Sequence, residues 1–172
     1  MFFLIGPVGT ALAAWETAWY LRRRYERAAN FQVAQDRATE LGRPLVVIGD
    51  PQGGITWDDY GCGDIAIDLT GCPSCGDRGH RADICEPGAI PLKDNSAVVY
   101  VSCVLEYVTD FQAAVREILR VAGTIDNVFV TRVEPWTLAS VAYPNAQRTV
   151  SVEAGGIVEA PIRSPLPWLG RL

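Results

Sequence analysis

Three groups of residues in this chain have types and spacings that could do chemistry. The first is a glycine loop, GDPQGG at Gly49–Gly54, directly after the short apolar run Leu45–Ile48. Glycines there permit positive φ and let a ligand approach the backbone closely. Asp68 lies about twenty residues past Gly49, where nucleotide-binding α/β folds hold a carboxylate against the ribose hydroxyls. The glycine spacing fits neither G-x-G-x-x-G nor a P-loop. A plain glycine turn with a surface aspartate describes the same residues equally well.

The second group is a cysteine-rich stretch. Cys62, Cys72, Cys75 and Cys85 surround the single histidine, His80, and Cys72-Pro-Ser-Cys75 is a CxxC pair. A tetrahedral zinc could draw four ligands from these five residues. One CxxC lacks the second knuckle of a zinc ribbon, so free, partly buried thiols are preferred and no metal is assigned. A thioredoxin-type redox pair is not expected, because the motif does not open a helix after a first strand. Five cysteines are an odd count, which fits a reduced compartment better than a disulfide framework. The third group is Glu106 and Tyr107, just after the apolar run Val98–Ser102. Both are candidates to face a substrate, although Glu106 could instead cap the helix that follows.

The elements that must position these groups alternate between strands and helices. Leu45–Ile48 reads as a strand buried on both faces, as in parallel sheets. A second strand is expected at Asp64–Leu69, a further one at Val98–Ser102, and another at Asn127–Arg132. A helix ending near Gly123 precedes the last of these. The fold class is therefore α/β, with a doubly wound, mostly parallel sheet.

The segment Ala82–Gly123 resembles the second half of class I S-adenosylmethionine (SAM)-dependent methyltransferases. In that family an acidic and then an apolar residue end the third strand and contact the adenine; Asp83-Ile84 match. A loop of apolar-Pro-apolar-x-Asp-x-Ser follows; Ile90–Ser96 (IPLKDNS) match. The turn after the fourth strand, Ser102 and then CVLEYV at Cys103–Val108, is similar to the family's "xVLEHV", with Tyr107 where a histidine often stands. The helix carries "E-apolar-x-R-V" at Glu117–Val121. The resemblance covers Pro44–Arg132, about half of the 172 residues. It implies SAM as cofactor, with Gly49, Asp50, Gly53, Gly54, Asp68, Leu69, Asp83, Ile84, Ser102 and Cys103 as binding residues. It also implies methyl transfer, an in-line displacement that needs alignment above all, and a general base only for an acceptor of high pKa.

Three departures stand out. Ile48 occupies the position of the family's first-loop acid, and Pro51 and Gln52 interrupt the glycines. Only Gly54–Gly63 remains for the first crossover helix, with Gly61 and Gly63 poor helix residues. The methionine end of SAM is therefore expected to be held differently or not at all. After the fifth strand, Ala142–Val152 and Gly156–Pro161 could form an antiparallel hairpin, leaving little for a substrate lid.

Before this domain (residues 44–172) lie two further expected segments. Residues 1–24 are a hydrophobic helix in which Met1–Leu21 carries one charge, Glu16, and is followed by Arg22, Arg23, Arg24 and Arg27. As a helix this run spans roughly 30 Å, a bilayer core. With Trp15, Trp19 and Tyr20 at its end, it is expected to be a single-pass anchor that leaves the domain on the cytoplasmic side. A cleaved signal peptide and a helix packed on the domain or on a partner protein are the alternatives. Residues 25–43 read as an amphipathic helix closed by Gly42 and Pro44. The net charge of −5 gives no general pull toward nucleic acid, and no such partner is expected.

Two functions are open at this point. One is a membrane-tethered SAM-dependent methyltransferase-like enzyme of unknown acceptor. The other is a non-catalytic scaffold of the same fold, docked in a membrane or larger assembly. A NAD-binding unit is disfavoured by the missing glycine fingerprint.

Overall fold

The β-branched runs form strands where the sequence places them. In the computed structural model, which describes residues 5–51, 60–132, 148–153 and 155–160, β1 is Leu45–Ile48, β2 is Ile65–Asp68 and β3 is Gly79–Arg81. β4 is Val98–Ser102 and β5 is Val128–Thr131. All five pair in parallel in the order β3-β2-β1-β4-β5. Every residue of β1 and β4 is buried, the condition of a sheet covered on both faces. The chain leaves β1 in one direction and returns on its other side at β4. The C-terminal ends of these two strands are therefore the topological switch point, where such sheets bind ligands.

Each face has its own cover. One carries α2, Phe111–Ala122, whose Phe111, Ala114, Ile118 and Val121 pack on Val46, Ile48, Val99 and Val101. Asp110 caps this helix by accepting from the Ala113 amide (2.9 Å). Glu106 therefore does not cap it. The other face carries α1, Ile5–Leu41, through Phe31, Ala34, Ala38 and Leu41 against Leu45, Val47, Val98 and Tyr100. Phe31 meets the Tyr100 ring edge-on at 5.5 Å, and Tyr60 adds a third ring at 5.2 Å from Tyr100. A hairpin of β6, Thr149–Glu153, and β7, Gly156–Ala160, forms its own two-stranded antiparallel sheet. Val150 and Ile157 of this hairpin join the core on the α2 side. The expected hairpin thus exists within narrower bounds, apart from the main sheet; residues 142–147 lie outside the described residues.

Three expectations are corrected. The two N-terminal segments are one continuous 37-residue helix, α1, which runs through Arg22–Arg24 without a break. Among the described residues, no helix is long and apolar enough to cross a membrane. Thr10, Glu16 and Thr17 dilute the run, and both threonines turn their hydroxyls back onto the carbonyls of Gly6 and Ala13. Arg27, assigned to the membrane side, is 5% exposed beneath the domain, and Arg23 donates to the Arg132 carbonyl (3.1 Å). The third strand ends at Arg81 rather than at Asp83-Ile84, which lie in the loop just beyond.

The Glu117 and Arg120 side chains of α2 hold a loop in place. Glu117, 4% exposed, accepts from the amides of Ile90 (2.9 Å) and Gly88 (3.1 Å) and from Arg120 (2.8 Å). Arg120 in turn donates to the carbonyls of Ile90 (3.0 Å) and Leu92 (2.8 Å) and to Asp94 (2.9 Å). The pair clamps the whole IPLKDNS loop onto α2. Burial works to raise the Glu117 pKa, but the Arg120 hydrogen bonds and those from Ile90 and Gly88 outweigh it and hold it low.

Candidate functional site

At the carboxyl ends of β1, β2 and β4 lies a cavity of about 230 Å³. Its walls are Ile48, Ile67, Asp68, Leu69, Ala82, Asp83, Ile84, Cys103, Val104, Tyr107, Val108 and Thr109. Six of the predicted residues therefore converge there: Asp68, Leu69, Asp83, Ile84, Cys103 and Tyr107. The strand ends carry the first pairs, and the turn before α2 brings in the rest.

Both carboxylates are held by one oxygen. Asp68 Oδ1 accepts from the Thr70 amide (2.8 Å) and hydroxyl (2.7 Å). Asp83 Oδ1 accepts from the Cys85 amide (2.9 Å). The second oxygen of each has no partner among the described residues. Two acceptors thus stand in walls that are mostly aliphatic, with Cys103, Tyr107 and Thr109 the other polar side chains. Such a cavity suits a flat, apolar-faced ligand that carries hydroxyl or amino donors at its edge.

Gly49, just past the end of β1, is not among the cavity walls but packs tightly against the end of β4. Its φ is +108°, and a Cβ there would come within 2.9 Å of the Ser102 carbonyl oxygen and 3.1 Å of Val104 Cγ2. No other residue fits between the ends of β1 and β4. Cys103, the first residue past β4, holds a φ of +53° although it is not glycine. Backbone strain of this kind gathers at functional turns. Burial pushes the Cys103 thiol up to about 11, with the Glu106 carboxylate adding to the effect and Arg27 and Arg23 opposing it. This disfavours the thiolate at neutral pH.

Other predicted residues fall elsewhere. Asp50 turns away from the cavity and accepts from Ser74 Oγ (3.1 Å). Ser102 points to the α1 face, buried near the hydroxyls of Tyr60 and Tyr100, and its own hydroxyl has no well-formed hydrogen bond. Glu106 is 2% exposed and is not among the residues that line this cavity. Gly53 and Gly54 lie outside the described residues. Sequence reasoning missed Ile48, Ile67, Ala82, Val104, Val108 and Thr109 as wall residues. Their signal was positional, since each flanks a strand end or the turn before α2.

The cysteine stretch is corrected outright. Cys62 and Cys75 form a disulfide, with Cα atoms 5.6 Å apart, while Cys72, Cys85 and Cys103 are free. The CxxC cysteines are not bonded to each other. His80 sits exposed on β3, and Cys85 contacts the Asp110 carbonyl beside α2 (3.4 Å). The five suggested zinc ligands are thus dispersed or oxidised, and no group of metal-ligating residues forms among the described residues. The free thiols expected at Cys62 and Cys75 are likewise replaced by a bond, so an odd count did not exclude a bridge. No protein-family model, curated protein or solved structure matches the chain.

Proposed function

We propose that this chain binds SAM through its adenosyl half and belongs functionally with the SAM-dependent methyltransferases. The observation that carries this reading is the convergence of Asp68, Leu69, Asp83, Ile84, Cys103 and Tyr107 on one cavity at the switch point. Asp68 would accept from the ribose hydroxyls and Asp83 from the adenine amino group, with Ile84, Ile48 and Val104 against the ring faces. The volume, below the roughly 300–1,000 Å³ of drug-sized sites, suits a nucleoside portion with the remainder leading out past Gly49. Bound SAM supplies an electrophilic methyl group on a sulfonium. The chain's own contribution is to bind, orient and exclude water. Among the cavity walls only Tyr107 and Cys103 carry a polar group besides the two aspartates and Thr109. Among the described residues these walls offer an acceptor no strong base.

Calorimetric titration of the full chain with SAM, S-adenosylhomocysteine and adenosine tests this. All three are expected to bind, adenosine most weakly. Absence of heat for all three at about 100 µM protein would end the nucleoside reading. The burial of Glu106 favours a second reading, a SAM-binding scaffold without catalysis, which predicts binding but no turnover on any acceptor.

The same proposal places the protein at a membrane surface rather than across it. Residues 9–15 of α1 are exposed, including Leu12 and Trp15. Trp15 stacks near Trp19 at 5.8 Å, and the Arg22 guanidinium lies 5.4 Å from the Trp19 ring centre. Tryptophans with adjacent arginines suit an anionic lipid interface. The full chain should cosediment with phosphatidylglycerol vesicles and lose this on Trp15→Ala with Trp19→Ala. A parent that stays in the supernatant would remove the membrane and leave a partner protein as the target of this helix, and equal cosedimentation of parent and variant would move the contact away from the two tryptophans.

A further inference from the structure

The crossover from β2 to β3, residues 69–78, contains no α-helix, only a 3-10 turn at Pro73–Arg78. Crossover helices normally hold a strand of such a sheet by packing on it. Here a covalent bond takes that place. The Cys62–Cys75 disulfide spans β2 in sequence and packs with Ala66 of β2 and the buried thiol of Cys72. The segment that it fixes is hydrogen-bonded to the frame of the cavity. Ser74 Oγ donates to Asp50 Oδ1 (3.1 Å), beside Gly49. The Gly71 amide donates to the Asp68 carbonyl (3.1 Å), and Thr70 holds the Asp68 carboxylate. The Ala82 amide returns to the same Asp68 carbonyl (3.2 Å), and Asp83 follows at once. The Asp68 wall is therefore bonded directly to the segment that the disulfide fixes, and the Asp83 wall connects to it through Asp68.

We propose that the Cys62–Cys75 disulfide is a redox-sensitive staple on the cavity, holding the Asp68 and Asp83 walls for a ligand when formed and releasing them when reduced by a dithiol. The ligand arm of this proposal rests on the adenosyl reading; the staple does not. In the reduction, a thiolate of the dithiol attacks one sulfur of the bridge, forms a mixed disulfide and expels the other cysteine as a thiolate, which takes a proton. The second thiolate of the dithiol then closes to a cyclic disulfide and frees the remaining cysteine. Two electrons and two protons enter the protein, and the dithiol is oxidised. An internal route would have Cys72 attack Cys75 and expel Cys62, moving the bond without net oxidation. Burial pushes the Cys72 thiol up to about 11, with the Asp68 and Asp50 charges adding to it, which disfavours the thiolate that this exchange needs; the pairing in the structure is Cys62–Cys75.

Hydrogen exchange on the full chain, before and after dithiothreitol, tests the staple. Amides of Thr70, Gly71 and Ala82 should exchange about tenfold faster or more after reduction, while those of β4 and α2 stay unchanged. SAM affinity should fall by about tenfold. Cys72→Ser should keep the bridge and the redox response, and Cys62→Ser should behave as the reduced parent without reductant. If Cys62→Ser fails to fold, the reduced parent alone carries the comparison. Identical exchange in the two redox states overturns the staple, as does failure to recover a Cys62–Cys75-linked peptide from Cys72→Ser. Faster exchange with no SAM binding in either state upholds the staple and overturns the adenosyl reading.

Discussion

Glu117→Ala is expected to lower stability by about 2–4 kcal/mol, a fall in Tm of roughly 5–15 °C for a chain of this size. The substitution removes the acceptor of two loop amides, Gly88 and Ile90, and the main counter-charge of Arg120. The amides are the costly part, because that of Ile90 is buried with no water to replace the carboxylate. Arg120 retains two carbonyls and Asp94 and is 27% exposed, so its charge is not stranded. Glu117→Gln, which keeps an acceptor oxygen, should cost about half as much. The pH dependence has a definite sign. Because the folded-state pKa is depressed below the ordinary carboxylate value, the clamp contributes fully above that value. Its contribution is lost as pH falls through the folded pKa. Thermal melts of parent and Glu117→Gln should therefore converge in acid. SAM affinity should change little in either variant, since neither Glu117 nor Arg120 lines the cavity.

This clamp marks the boundary between what the sequence made legible and what it did not. The pattern at Glu117–Val121 was recognised through its likeness to a family, and its physical content is loop retention, which spacing alone could not reveal. Strands β1 and β4 appear at their expected bounds because four or five aliphatic residues between turn signals have little alternative to a sheet buried on both faces. β3 could not be placed so well. Gly79-His80-Arg81 has no apolar pattern, and only its pairing to β2 makes it a strand. The arginines at 22–24 looked like a boundary because a membrane would make them one. Arginine is a good helix former, and α1 runs through all three.

The site was legible where it depends on strand ends and illegible where it depends on loops meeting. Asp68 and Asp83 follow strands, so their convergence follows from parallel pairing of β2 with β1 and β3. The partner of Cys75 depends on how two crossovers approach each other across β2, and four crowded cysteines leave several pairings open. Glu106 was judged by its motif, but the turn that sends Tyr107 to the cavity turns Glu106 inward.

Asp68→Ala is expected to weaken SAM binding by about ten- to a hundredfold, the equivalent of roughly 1.5–3 kcal/mol for charge-assisted hydrogen bonds. The structure adds a complication that alanine alone cannot resolve. The Asp68 carboxylate also organises the turn at Thr70, through bonds of 2.8 and 2.7 Å to its amide and hydroxyl. Alanine removes both functions and should destabilise the fold by about 1 kcal/mol as well. Asp68→Asn separates them. The amide oxygen can still accept from Thr70, so stability should stay near that of the parent, but the oxygen facing the cavity is replaced by an NH2 group, which donates and cannot accept from a hydroxyl. If the ribose hydroxyls are bound there, Asp68→Asn should lose most of the affinity that Asp68→Ala loses while melting like the parent. If instead the aspartate acts only through the turn, Asp68→Asn should bind as the parent does and Asp68→Ala should lose affinity only in step with its stability. Asp83→Ala offers the internal control, with a smaller loss, because the adenine ring would also rest on Ile84, which is 4% exposed and fixed in the core. A parent that binds SAM at micromolar concentration while Asp68→Asn binds it equally well would move the ribose away from β2 and require another arrangement of the ligand in this cavity.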